Sequence, residues 1–208
     1  MSHHTIETAR LVLRRFTEQD GPAAFRFLSD ERVMHFLPWF CAQDADDAAA
    51  FLDKHYLSWY RCADSGLRGA LDMPLDLRYA ICPREGAHAG EPMGFVNIDA
   101  ETDSFDLGYA LAPGLWHRGI ASEAADALVT AAKAAGFPYL TATHDRENPR
   151  SGAVMARVGM TYRYTYLEQW QPKDIPVHFR LWQLDLAPNV PTYRAYWDRY
   201  PEHEVEAL

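Results

Sequence analysis

Residues 107–128 read LGYALAPGLWHRGIASEAADAL. An apolar run ends at Leu111, and Ala112-Pro113-Gly114 breaks it. An alanine-rich helix signal starts at Gly119 and runs to Ala135, where Gly136 and then Pro138 stop it. The order is therefore strand, short turn, helix. The first turn of a helix carries unpaired N–H groups and about half a positive charge, a ready site for phosphate. Gly119 lets a ligand approach the backbone, Ser122 adds a hydroxyl and Arg118 adds a fixed charge. Glu123 opposes an anion and is expected to face away. The turn has neither Gly-x-Gly-x-x-Gly nor a terminal Gly-Lys-Ser/Thr, so a dinucleotide enzyme or nucleotide kinase is not indicated. A plain strand-to-helix turn needing glycine fits equally, and the motif alone leaves both readings open.

The chain around this stretch has 208 residues, 48% hydrophobic and 24% charged, enough for one domain with a small appendage and a sizeable core. Lysine and arginine number 20 against 29 acids, a formal charge of -9. That balance repels phosphate backbones and disfavours general nucleic-acid binding, while it is compatible with an amine substrate. Cys41, Cys62 and Cys82 are far apart and lack zinc spacing, so they read as buried, reduced thiols. No metal is expected, and the adjacent histidines of Ser2-His3-His4 read as solvated. The N-terminus has no apolar h-region and no window is long enough to span a bilayer, which points to a cytoplasmic protein without membrane contact.

Hydrophobic patterning supplies the remaining elements. Residues 9–16, 75–82, 93–99, 104–111, 139–144, 161–168 and 176–186 read as strands. The first helix begins at Asp20-Gly21-Pro22, a second covers 44–62, a third 119–135, and Asn148-Pro149 opens a fourth that ends at Gly159. Residues 63–74 read as a loop. The expected fold is α/β in the α+β sense: a mixed, mostly antiparallel twisted sheet of about seven strands with about four helices, with residues 139–144 parallel to 104–111. That domain spans residues 1–186. In the extension 187–208, Tyr193, Tyr196, Trp197 and Tyr200 fall on one face of a short helix.

The order of elements and the run Trp116-His117-Arg118-Gly119-Ile120-Ala121-Ser122-Glu123-Ala124 resemble the GNAT N-acetyltransferases, most closely their RimJ/RimL branch. That branch usually reads Trp-Gly-Lys-Gly-Tyr-Ala-Thr-Glu-Ala here, so His117 stands for a customary glycine. Thr8-Ala9-Arg10-Leu11-Val12-Leu13-Arg14, Asp30-Glu31-Arg32-Val33-Met34, Asn148-Pro149-Arg150-Ser151 and Arg157-Val158-Gly159-Met160 carry the likeness over residues 6–186. The resemblance implies acetyl-CoA as co-substrate. Gly119, Ile120, Ala121 and Ser122, with Trp116, His117 and Arg118 before them, would line its pyrophosphate. Tyr109, Ala110 and Leu111 would present backbone groups to the thioester, the strand splaying from its parallel neighbour to admit the pantetheine. Asn148 would contact the pantetheine or cap its own helix.

An alkylammonium has a pKa of about 10 and cannot attack until it loses a proton. Glu168 is the candidate base, directly or through water, the plain alternative being an exposed strand-end glutamate. Ser151, in the branch's Asn-x-x-Ser position, is the candidate donor to the departing sulfur. Tyr162, Tyr164 and Tyr166 are substitutes that could instead pack. Trp39 and Phe40 of the aromatic loop, with Trp170, are candidates to flank the acceptor, core packing being the alternative reading of the loop. The resulting expectation is direct acetyl transfer to a primary amine without an acyl-enzyme. A protein N-terminus is the acceptor the branch implies. A small-molecule amine (amino acid, polyamine or antibiotic) is the alternative, and a non-catalytic acyl-CoA sensor is the competing class. The aromatic tail is expected either to pair two copies into a homodimer or to cover the acceptor cleft.

Overall fold

The computed structural model describes residues 5–207, so Ser2-His3-His4 lie outside it. Among the described residues, one sheet runs β1 (Thr5–Glu7), β2 (Leu11–Arg14), β3 (Arg78–Pro83), β4 (Gly94–Asp99), β5 (Asp106–Leu111), β6 (Tyr139–Asp145), then β8 (Ile175–Asp185), β7 (Thr161–Trp170) and β9 (His203–Glu204). All pairings are antiparallel except β5 with β6. The α+β expectation holds, with short strands added at both edges. The strand expected over 9–16 is β2, and the unexpected β1 precedes it as the other arm of a hairpin whose turn Thr8 closes through bonds to Leu11.

Strand alternation divides the core into two layers. Tyr79 and Ile81 of β3, Val96 and Ile98 of β4, Leu107 and Leu111 of β5 and Leu140 and Ala142 of β6 pack with α5 (Ile120–Ala135) and Met155 of α6 (Pro149–Arg157). Ala80, Cys82 and Phe95 point the other way, onto α1 (Gly21–Leu28), α2 (Glu31–Met34), α3 (Ala45–Leu52) and α4 (Ser58–Asp64). The helix expected over 44–62 is α3 and α4 joined by a wider turn at Asp53–Leu57. Asp44 caps α3, its side chain accepting from the Asp46 and Asp47 N–H groups. Within the stretch expected as loop, Ala70–Asp72 forms one helical turn. Of the cysteines, Cys82 alone is buried, which pushes its thiol up to about 11, while Cys41 and Cys62 are partly exposed.

The C-terminal extension docks on its own chain. α7 (Ala195–Arg199) lays Tyr196 and Trp197 against Tyr164 and Tyr166 of β7 and Phe179 of β8. Gln183, almost fully buried, anchors the approach: it accepts from the Tyr193 N–H at 2.7 Å and donates to the Pro191 carbonyl at 3.0 Å. Beyond α7, Glu206 pairs with Arg180 and accepts from Thr165. Among the described residues no helix is long and apolar enough to cross a membrane.

Candidate active site

The decisive feature is a failure of pairing. β5 and β6 run parallel, yet only Asp106 and Thr141 register as partners. Beyond that pair the strands separate, and the β5 edge facing β6 keeps backbone groups that the ladder does not consume. The gap opens into a cleft of about 1470 Å³. The notched strand ends where α5 begins, so strand edge and helix start border the same space.

Gly119 sits at the helix entry with φ of +72°, and no side chain caps α5. Glu123 faces away as expected: it accepts from Thr8, from the Arg10 backbone and from the Arg10 guanidinium. The first-turn N–H groups therefore stay open to the cleft. Ser122 reinforces the point, because its buried Oγ has no partner among the described residues. An orphaned hydroxyl beside open helix N–H groups fits a phosphate-bearing ligand such as acetyl-CoA. His117 lines the same region, in the left-handed conformation at φ of +59°. Arg150 and Arg157 of α6 line the same cleft.

Trp116 closes the strand end from behind, its Nε1–H donating to the Leu111 carbonyl at 2.8 Å. Gly94 of β4 matters for the same reason. A Cβ there would lie 2.2 Å from the Ala110 carbonyl oxygen and 3.0 Å from Leu111 Cα. Gly94→Ala must push this strand aside, and we expect a loss of about 1–3 kcal/mol of stability together with a lower kcat. Thermal melting and steady-state kinetics read the two effects.

Asn148 occupies the N-cap position of α6 without making a side-chain cap bond, and it lines the cleft. Ser151 faces Tyr109: the tyrosine hydroxyl donates to the Ser151 carbonyl at 2.8 Å and lies 3.0 Å from Ser151 Oγ. Burial holds the Tyr109 phenol protonated, well above its usual value.

The other half of the cleft has a different character. Trp39 packs edge-on against Phe51 at 4.9 Å and close to His55, also at 4.9 Å. Burial depresses His55 to about 4, so it is neutral at pH 7. Asp99 and Glu101 share the guanidinium of Arg78 at 3.1 and 3.4 Å. Asp106, Glu168, Trp170, Tyr166, Tyr196, Arg199 and Tyr200 complete this half. Lys173, in the β7–β8 turn, crosses to the far wall and donates to the Met34 and His35 carbonyls at 2.6 and 3.0 Å. One end of the cleft is thus built for anions and the other carries carboxylates.

A family model described as an acetyltransferase (GNAT) domain matches residues 10–161. The chain belongs to the GNAT acetyltransferase family. The N-acetyltransferase YnaD of Bacillus subtilis is 29% identical over 156 residues, covering 74% of this chain and 81% of YnaD. A GNAT-family acetyltransferase from Bacillus anthracis has the same fold, with a TM-score of 0.70 at 19% identity, covering 88% of this chain and 98% of its own. RimL, a ribosomal L7/L12 α-N-protein acetyltransferase solved with coenzyme A, superposes with a TM-score of 0.68 at 15% identity, covering 87% and 97%.

This acetyltransferase gathers most of the residues expected from its sequence. Trp39, Tyr109, Ala110, Leu111, Trp116, His117, Gly119, Ile120, Ala121, Ser122, Asn148, Ser151, Glu168 and Trp170 all line the one cleft. Two do not. Arg118 is exposed outside it, and its carbonyl accepts from Arg10 at 2.7 Å. Phe40 is 67% exposed, because the turn after Pro38 sends Trp39 inward and Phe40 outward. Tyr162 and Tyr164 are engaged elsewhere: Tyr162 accepts from the Glu206 N–H and Tyr164 donates to the Tyr193 carbonyl. Glu168 is partly buried, and burial raises its pKa above the usual 4.5, against the pull of the Tyr200 hydroxyl and Arg199.

Sequence reasoning missed Asp106 and Arg78 as lining residues, and it left open whether the tail bearing Tyr196 and Tyr200 covers the cleft or pairs two copies; both tyrosines line the cleft. For Asp106 a signal existed. It lies two and four residues before Gly108 and Ala110, which puts it on the same strand face. For Tyr196 and Tyr200 the helical spacing was legible, but not the surface they meet.

Proposed function

We propose that this acetyltransferase moves acetyl from acetyl-CoA directly to a primary amine. The observation carrying the reading is the β5–β6 gap, which joins a helix start open to phosphate with a carboxylate-lined acceptor end. In this reading Ile120, Ala121 and Ser122 hold the pyrophosphate, and the Tyr109–Leu111 edge holds the thioester, one N–H polarising its carbonyl. Glu168 takes one proton from the ammonium. The amine nitrogen bonds to the acetyl carbon, the carbon–sulfur bond breaks, and the second nitrogen proton ends on sulfur. Ser151, with Tyr109 behind it, supplies a hydrogen bond to the departing thiolate. Neither Ser151 nor Glu168 becomes acylated.

Calorimetry with coenzyme A and thiol release from acetyl-CoA over an amine panel test this. Micromolar binding with amine-dependent thiol release is the expected result. Absence of coenzyme A binding refutes the donor site, and binding without transfer to any amine makes the protein an acyl-CoA sensor. An intact-mass survey of protein N-termini separates a protein acceptor from a small molecule.

A further inference from the structure

We propose that the acceptor is a small aliphatic amine carrying a second cationic group, and that Asp106, within a tyrosine wall supplied largely by the C-terminal segment, holds that second cation. The proposal rests on the transferase reading above.

Two carboxylates of the acceptor half, Asp106 and Glu168, have no ion pair among the described residues. The nearby guanidinium of Arg78 is already engaged by Asp99 and Glu101. Asp106 opens β5, and Asp99 stands directly opposite it on β4. Thr141 Oγ1 on β6 lies 3.5 Å from Asp106 Oδ1, but the same hydroxyl is 2.8 Å from the Ser104 carbonyl and donates there. Asp106 is thus a carboxylate in the cleft without a countercharge.

The wall opposite is aromatic. Tyr166 of β7 is sandwiched between Tyr196 and Tyr200, each ring centroid 5.0 Å away, at interplanar angles of 19° and 10°. Tyr166 and Tyr196 are each near enough to feel both Asp106 and Glu168, and the Tyr200 hydroxyl bonds Glu168. Trp170 and Phe179 extend the wall as apolar surface, suited to methylenes.

Charge balance selects the occupant. A monoamine must shed its proton to react, and once neutral it leaves a partly buried carboxylate uncompensated. A second ammonium that keeps its proton removes that penalty, and phenol oxygens can accept its remaining N–H groups. The groups facing Asp106 are Asp99 from β4, Tyr109 from β5, Thr141 from β6, Tyr166 from β7 and Tyr196 from α7. None is a cation. Burial and Asp99 push Asp106 up to about 7, so its hold on a dication strengthens as pH rises through neutrality.

The full-length protein with acetyl-CoA is assayed by thiol release against α,ω-diaminoalkanes, n-alkylamines of equal length and a Ser-initiated peptide. The expected result is a kcat/KM for the best diamine about tenfold or more above its monoamine, rising between pH 6 and pH 8. Asp106→Asn brings that ratio to about one, whereas Asp106→Glu keeps it above one. Equal rates on wild type, a preference that survives Asp106→Asn, or acetylation of the peptide alone overturns the proposal. Should the variants not fold, the wild-type ratio decides. A protein that acetylates no amine and binds no coenzyme A fails the transferase reading itself, a distinct outcome.

Discussion

Glu168→Gln is expected to lower kcat by about 10²–10⁴-fold, the range for removing a general base. The substitution keeps shape and polarity, so Tyr200 retains a hydrogen-bond partner and β7 its pairing with Val177. The affinity for coenzyme A is expected to stay constant, because the helix start that carries the proposed donor contacts lies on α5 and Glu168 on β7. The pH profile gives a second readout. Burial raises Glu168, so the wild-type rate climbs with pH as the carboxylate forms. The variant should lose that limb, leaving only a rise that follows the free amine. Stopped-flow thiol release across pH with one diamine measures both. An unchanged kcat would remove Glu168 from the proton path.

Asp106→Asn is expected to stabilise the protein at neutral and alkaline pH. Folding moves this carboxyl from 3.8 to about 7, so the folded chain binds its proton more tightly than the unfolded one. Whatever favours the folded state in Asp106 is present in full below pH ~4 and is lost as pH rises through ~7. Asparagine is neutral throughout and escapes that loss. The full shift corresponds to about 4 kcal/mol, and allowing for the partial exposure of Asp106 leaves about 2 kcal/mol. For a chain of this size that is a rise in Tm of about 4–8 °C at pH 8, shrinking toward zero at pH 4. Differential scanning calorimetry at the two pH values checks the sign. A variant less stable than wild type at pH 8 would mean that Asp106 is already compensated in the free protein. Together with a loss of diamine preference, the predicted gain would mark Asp106 as a residue kept for binding at the expense of stability.

The proposed donor side is legible in the amino-acid sequence. Gly119 after a broken strand, the hydroxyl of Ser122 and the stop at Gly136 state a helix start in local terms, and the fold keeps all three. Arg118 marks the limit of local signals: its charge suggests a phosphate contact, yet the residue is exposed and is not among those lining the cleft, while Arg10, over a hundred residues away, holds its carbonyl. Phe40 departs from expectation for a similar reason. Of the two adjacent aromatics, Trp39 takes the place beside Phe51 and Phe95, and Phe40 is left 67% exposed.

The proposed acceptor side is not legible in the same way. Its carboxylates and rings come from β4, β5, β7 and the C-terminal α7, and their meeting depends on β8 inserting between β6 and β7 and on the tail folding back over β7. The sequence by itself determined the strand–helix junction, the mostly antiparallel sheet and the family. The junction and the strands follow from backbone preference and periodicity within about 20 residues of chain, where the physics is local, whereas the family rests on the likeness of the run from Trp116 to Ala124 to known members. The tertiary structure alone decided that Tyr196 and Tyr200 stack on Tyr166, and that Asp106 faces the cleft with no ion pair among the described residues. Those are long-range contacts, and no local propensity encodes which surfaces meet once the chain closes on itself.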